Sequence, residues 1–161
     1  LTRKYKTKFM IQRIQSLYLL AVVALMTTAI FTPLAYFVAG AEEYLLYAFS
    51  LKGGEASYST IYMGVILALA AIVPFVTIFC FKNRKLQIRL CAVELVLLVG
   101  SVIFMAIYYY LGSRMFSQLE FSMQGFRIAI IFPVLSLILD YLALRAIFHD
   151  EMLVRSLDRI R

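Results

Sequence analysis

Three charged residues interrupt long apolar stretches of the chain: Glu94, Asp140 and Arg145. A charged group inside membrane hydrocarbon is costly and commonly marks a functional site. At 1.5 Å per residue from the ends of their stretches, Glu94 lies about 6 Å deep, Arg145 about 4.5 Å and Asp140 about 12 Å. We therefore expect an ion pair between Glu94 and Arg145, with Asp140 deeper.

Asp140 lies on a stripe of small and polar residues along one face of its helix. The stripe contains Ala129, Pro133, Ser136, Asp140 and Ala143. Faces of this kind pack against other helices in membranes. We expect Asp140 to face the bundle interior, where the hydroxyl groups of Ser101, Thr27 or Thr28 are candidate partners.

Three interpretations of these intramembrane polar residues stay open. They form a polar clasp that fixes helix register, or they form a proton- or ion-handling site centred on Asp140 and Glu94, or they dock a partner subunit. The motifs indicate no other chemistry: His149 is the single histidine, and Cys80 and Cys91 have no metal-ligand spacing. No GxSxG, P-loop or HExxH motif occurs. We therefore expect no catalytic residue, no metal and no cofactor.

Four apolar stretches must position these residues, at about 17–38, 61–81, 90–111 and 128–148. The chain is 63% hydrophobic, above the 45–50% that is typical of soluble domains. About 20 apolar residues suffice to cross a membrane as a helix. We predict an all-α membrane protein, a single domain over 1–161 with four transmembrane helices in an antiparallel bundle.

The ends of the chain and its loops complete this prediction. Residues 1–9 form a polar tail before a helix that begins near Met10, and the tail 149–161 is helical. Ala39-Gly40-Ala41 resembles a signal cleavage site, but the preceding apolar run is longer than the 7–15 residues of a secretory signal, so a retained helix is favoured. Apolar runs on both sides of Gly53-Gly54 predict a small β-hairpin in the first outer loop. The second outer loop, 112–127, is apolar enough to lie against it.

The positive charge is concentrated at one side of the predicted membrane. The formal net charge is +7, and basic residues cluster before the first span, between spans two and three, and at or after the end of span four. Because cytoplasmic loops are enriched in Lys and Arg, both termini and the 82–89 loop are expected in the cytoplasm. Anionic lipid headgroups are the expected partner of this charge, and nucleic acid is not. The cytoplasmic basic patch is predicted to comprise Arg13, Lys82, Arg84, Lys85, Arg89, Arg155 and Arg159.

Three polar segments carry a family resemblance. They read MIQRIQ at 10–15, FKNRKLQ at 81–87 and DEMLVRSLDRIR at 150–161. With them the chain resembles an uncharacterised family of small four-span membrane proteins from Bacteroidota. The resemblance implies the four-span topology and no particular activity.

These observations predict a multi-pass protein of the bacterial inner membrane. Its expected role is structural or accessory, through a membrane-protein partner or as a homo-oligomer. The alternative is a small ion- or proton-coupled transporter that uses Asp140 and Glu94. An enzyme is the third and least favoured interpretation.

Overall fold

The first helix ends where Thr32 and Pro33 interrupt its apolar sequence. The computed structural model describes residues 2–118 and 122–158, with side chains described at 14–55, 57–118 and 123–156. Helix α1 spans Thr2–Phe31. Pro33 has no N–H for the helical hydrogen bonds and disfavours helical backbone at the residue before it. The predicted end at residue 38 is therefore wrong, and so is the predicted start near Met10, because the helix already begins at Thr2.

Three further helices follow. Helix α2 spans Ile61–Phe79, α3 spans Arg84–Phe116 and α4 spans Phe132–Asp158. A short 3₁₀ turn, Ile128–Ile131, precedes α4. Helix α3 is longer at both ends than the predicted span, and α4 continues into the tail, whose predicted helix is confirmed as far as Asp158. Within the described residues four helices are long and apolar enough to cross a membrane, which indicates a membrane protein.

The helices pack through buried residues that alternate in spacing between three and four. Helix α1 contacts α2 and α4, and α3 contacts the same two helices. A repeat of this kind is typical of left-handed bundles in which side chains interlock along a narrow seam. It is clearest along α4 and the turn before it, where the buried residues are Ala129, Pro133, Ser136, Asp140, Ala143, Ile147 and Asp150.

The outward faces of these helices are apolar, as expected for contact with lipid. Large apolar side chains are exposed along them, including Val96 at 73% and Phe31 at 77%. A water-soluble bundle would place polar residues at such positions. The exposed apolar surface therefore agrees with the helix lengths in indicating a membrane protein.

One end of the bundle carries a five-stranded antiparallel sheet, so the all-α prediction with at most a small hairpin is wrong. The strands are β1 Ala35–Ala39, β2 Glu42–Leu46, β3 Ser50–Gly53, β4 Ala56–Ser59 and β5 Ser122–Phe126. Their order is β4-β3-β2-β1-β5. We call this end of the bundle the sheet end, and the opposite end, where α2 meets α3, the basic end.

Two glycines with positive φ close the hairpins of this sheet. Gly40 (φ 66°) lies between β1 and β2, and Gly54 (φ 52°) lies between β3 and β4. Each follows the strand directly in a two-residue turn, where a left-handed residue matches the twist of the strands. The hairpin predicted around Gly53-Gly54 is thus confirmed as β3 and β4. The second loop also lies against the first, because β5 pairs with β1.

The sheet is fixed to α3 by aromatic packing. The buried Phe37 ring of β1 lies 5.4 Å from the ring of Tyr109 and 5.6 Å from that of Phe116, measured between centroids. Gly112 lies between these two residues on α3, and a Cβ atom there would stand 2.7 Å from Cζ of Phe37. The absence of a side chain at Gly112 therefore lets the sheet approach the helix.

Candidate functional site

Glu94 and Asp140 meet in the interior of the bundle, and we call them the carboxyl pair. Both side chains have 0% exposure, and they are close enough for the charge of Asp140 to act on Glu94. The expectation that Asp140 faces the interior is confirmed. Glu94 comes from α3 and Asp140 from α4, so the pair joins two neighbouring helices.

A second contact between the same helices fixes the depth of the carboxyl pair. Arg84 Nη1 lies 2.8 Å from Asp150 Oδ2 at the basic end, although this ion pair lacks the angles of a directed hydrogen bond. Glu94 follows Arg84 by ten residues, and Asp140 precedes Asp150 by ten residues. At 1.5 Å per residue both carboxyl groups lie about 15 Å from the ion pair. Both carboxyl groups therefore lie well inside the bundle, away from its basic end.

The carboxyl pair has few polar neighbours among the described side chains. Neither carboxyl group has a hydrogen-bond partner of ordinary geometry among them, and the same holds for the buried hydroxyl of Ser136, one helical turn from Asp140. The Cys91 thiol does lie within interaction range of Asp140. Unpaired carboxylates buried in this way are costly. A proton on a carboxyl group lowers that cost, because the neutral group is less costly to bury than the charged one.

Apolar side chains enclose the carboxyl pair on both sides along the bundle axis. Toward the basic end lies a cluster of Leu19, Cys91, Ala143 and Ile147. Toward the sheet end lies the larger core cluster, which begins with Val22, Met26 and Leu98. The pair is therefore a polar layer between two apolar clusters, an arrangement that can hold a proton or fix the register of α3 against α4.

The predicted ion pair between Glu94 and Arg145 is not formed. Arg145 is exposed on the outer face of α4 and takes part in no ion pair within the described residues. The prediction was wrong because it measured depth from the ends of the apolar stretches. The helices extend past the ends of the apolar stretches by different lengths. Two residues at similar distances from those ends therefore lie at different depths along the bundle axis.

The predicted hydroxyl partners also lie elsewhere. Ser101 is buried, but its Oγ donates a hydrogen bond of 2.7 Å to the carbonyl oxygen of Leu98 in its own helix. Thr27 and Thr28 are exposed, and Thr28 Oγ1 bonds to the carbonyl oxygen of Ala24 at 2.7 Å. Cys91 is the residue that sequence reasoning left out of the site. Its spacing of three before Glu94, on the same buried seam, was the available signal.

Four residues of the predicted basic patch lie around one surface depression at the basic end. Lys82, Arg84, Lys85 and Arg89 line an open depression of about 490 Å³, together with Asn83, Leu86 and Glu151. We call it the basic depression. Arg155 adjoins it by bonding Glu151, with Nε 3.1 Å from Oε1. The side chain of Arg13, and all of Arg159, lie outside the described residues.

Comparison with protein families matches nearly the whole chain. The model of a domain of unknown function, DUF4293, covers residues 11–160. The chain belongs to this family. A search of the curated proteins finds none that matches this chain. Membership in the DUF4293 family agrees with the resemblance to an uncharacterised family and assigns no activity to the carboxyl pair or to the basic depression.

Proposed function

We propose that this DUF4293 protein is a multi-pass protein of the bacterial inner membrane that serves as a structural or accessory component through a protein partner. The sheet is the observation that carries this proposal. A connection that only joins two helices needs few residues. Residues 80–83 are such a connection, between α2 and α3. The other two connections instead contribute to one folded sheet, which suits contact with another protein.

The free edge at β4 is the proposed point of contact. A strand edge carries unpaired N–H and C=O groups, and a partner can add an extended strand there. The register pairs Gly53 with Ala56 and Lys52 with Ser57. In a hairpin with a two-residue turn, the pair flanking the turn is hydrogen-bonded and the next is not. The N–H group of Ser57 therefore points away from β3, toward the free edge.

The charge distribution supports an orientation with the sheet outside the cell. Lys82, Lys85 and Arg89 are exposed at the basic end, and an excess of basic residues marks the cytoplasmic side. Both chain termini belong with the basic end in this arrangement. The partner strand is then supplied from the periplasmic side.

Crosslinking at the edge tests this role. A photo-crosslinking amino acid replaces Tyr58, which is 44% exposed on β4, and a matched probe replaces the exposed Val96 in the middle of α3. We expect the Tyr58 probe to capture one protein in stoichiometric yield. The Ser57→Pro variant should abolish capture because it removes the outward N–H group, whereas Ser57→Ala should preserve it. Equal capture in both variants, or no capture at Tyr58, would contradict the proposal.

A second candidate function is a small proton- or ion-coupled transporter. The carboxyl pair favours it, since acidic residues within membranes commonly belong to proton and ion pathways. In liposomes that contain the purified protein, the Asp140→Asn variant should abolish a proton flux driven by a pH gradient. The Arg145→Gln variant is the matched control on the exposed side of the same helix. A flux that persists in Asp140→Asn, or the lack of any flux in the unmodified protein, would remove this candidate.

A further inference from the structure

The basic depression has more positive charge than its own acidic residues neutralise. Four cationic side chains and one carboxylate line it. We propose that it binds the phosphate of an anionic phospholipid headgroup. This inference depends on the helices lying in a membrane and is independent of the partner proposed for the sheet.

The acidic residues at the depression are already engaged. Asp150 is held by Arg84 at 2.8 Å, and Glu151 is held by Arg155 at 3.1 Å. Three cations of the lining, Lys82, Lys85 and Arg89, are exposed and have no ion-pair partner in the part of the chain that the structure describes. Their charge is therefore free to act on an anion.

The two ion pairs also restrain the floor of the depression, because each engages one of its lining residues, Arg84 or Glu151. The side chains of Arg84 and Asp150 are only 18% and 11% exposed, and that of Glu151 is 14% exposed. The contact of Arg84 with Asp150 ties the start of α3 to the end of α4, and that of Glu151 with Arg155 lies within α4. A site whose floor is fixed in advance loses less conformational freedom when a ligand binds.

The start of α3 adds to the positive potential of these cations. Asn83 precedes the helix without a side-chain hydrogen bond to its first turn. The first N–H groups of a helix lack carbonyl partners within it and carry a partial positive charge. A phosphate in the depression can accept hydrogen bonds from such groups as well as from the cationic side chains.

Exposed apolar side chains favour a lipid over a soluble phosphate compound. Phe79 is 66% exposed, Phe81 60% and Leu86 43%, and all three lie close in sequence to the cations of the depression. A dissolved anion gains nothing from these side chains. The acyl chains of a lipid can contact them while its phosphate lies among the cations, as at other basic membrane interfaces.

Lipid binding to the purified full chain in detergent tests the proposal. The ligands are phosphatidylglycerol, phosphatidylcholine and inorganic phosphate, and native mass spectrometry counts bound lipids. A triple variant, Lys82→Gln/Lys85→Gln/Arg89→Gln, changes only exposed cations. Each contributes about 1 kcal/mol near an anionic surface, so the triple variant should bind phosphatidylglycerol roughly 100-fold more weakly. The matched control, Arg145→Gln, should bind it normally. Circular dichroism of each variant verifies folding.

Three results would overturn the inference. One is equal affinity of the unmodified protein for phosphatidylglycerol and phosphatidylcholine. Another is an equal loss of binding in the triple variant and in Arg145→Gln. The third is tight binding of inorganic phosphate alone that the triple variant loses, which would assign the depression to a soluble phosphate compound and exclude the lipid.

Discussion

Glu94 and Asp140 occupy the same depth on neighbouring helices, and the chemistry open to each depends on the other. Both are fully buried, and no described side chain gives either a hydrogen bond of ordinary geometry. They are nevertheless close enough for the charge of Asp140 to act on Glu94. The pair therefore acts as a unit, and removing one member should cost more than removing both.

Apolar replacement measures this dependence. The Asp140→Leu variant leaves the Glu94 carboxyl buried alone, which should lower the free energy of unfolding by about 1–3 kcal/mol. The double variant Glu94→Leu/Asp140→Leu leaves no carboxyl group buried at this level, so it should recover most of that loss. Unfolding by sodium dodecyl sulfate in mixed micelles, followed by circular dichroism, provides the measurement. A double variant less stable than Asp140→Leu would contradict the account of the pair.

The ion pair between Arg84 and Asp150 should be stronger than the neighbouring, more exposed pair between Arg155 and Glu151. Arg84 and Asp150 are mostly buried, so Arg84→Gln should lower the free energy of unfolding by about 1–3 kcal/mol, because a charged partner is left unpaired. Arg155 is 61% exposed where it bonds Glu151, so Arg155→Gln should cost about 0.5 kcal/mol or less. The same micelle titration compares the two variants. Equal losses would show that burial of the first pair adds nothing.

At the scale of elements, the boundary between α1 and β1 was the hardest feature to predict from the sequence. Hydropathy stays high from α1 through the strand Ala35–Ala39, so an apolar window continues across both. Pro33 by itself predicts a kink or an early end of the helix. The strand pairs with β2 through the local turn at Gly40, but its apolar sequence continues that of the helix, and its other partner, β5, is more than eighty residues away.

The contact between α3 and the sheet depends on the space at Gly112. The Gly112→Ala variant places a Cβ atom 2.7 Å from Cζ of Phe37, and such overpacking should destabilise the protein by about 1–3 kcal/mol. Gly100 lies on the same helix, and a Cβ atom there would have no neighbouring side chain within 4 Å. The Gly100→Ala variant should therefore be neutral or gain up to about 1 kcal/mol from helix propensity.

A rescue experiment locates the clash. Replacing the ring by a smaller side chain in Gly112→Ala/Phe37→Leu should recover part of the stability that Gly112→Ala loses, measured by thermal unfolding in the same detergent. If Gly112→Ala is as stable as Gly100→Ala, the close approach of the sheet to α3 is wrong.

For the whole molecule, the sequence predicted four helices and their order because long apolar runs are local features. The relative depth of residues on different helices instead depends on contacts between residues far apart in the sequence. Glu94 was matched with Arg145, whereas the seam of buried residues and the contact of Arg84 with Asp150 bring it to Asp140. The three-four spacing of Glu94, Leu98, Ser101 and Met105 predicts the buried face of α3 correctly, although not the partner of Glu94.

The central claim is that the four helices cross a membrane with the basic end in the cytoplasm and the sheet outside. Single cysteines placed by Ser57→Cys in β4 and by Lys85→Cys in the basic depression test it, in a background with Cys80→Ser and Cys91→Ala. Spheroplasts are treated with a maleimide that does not cross membranes. We predict labelling of the Ser57→Cys protein in intact spheroplasts, and labelling of the Lys85→Cys protein only after detergent is added. Labelling at Lys85→Cys in intact spheroplasts, or release of the protein from membranes without detergent, would contradict the account.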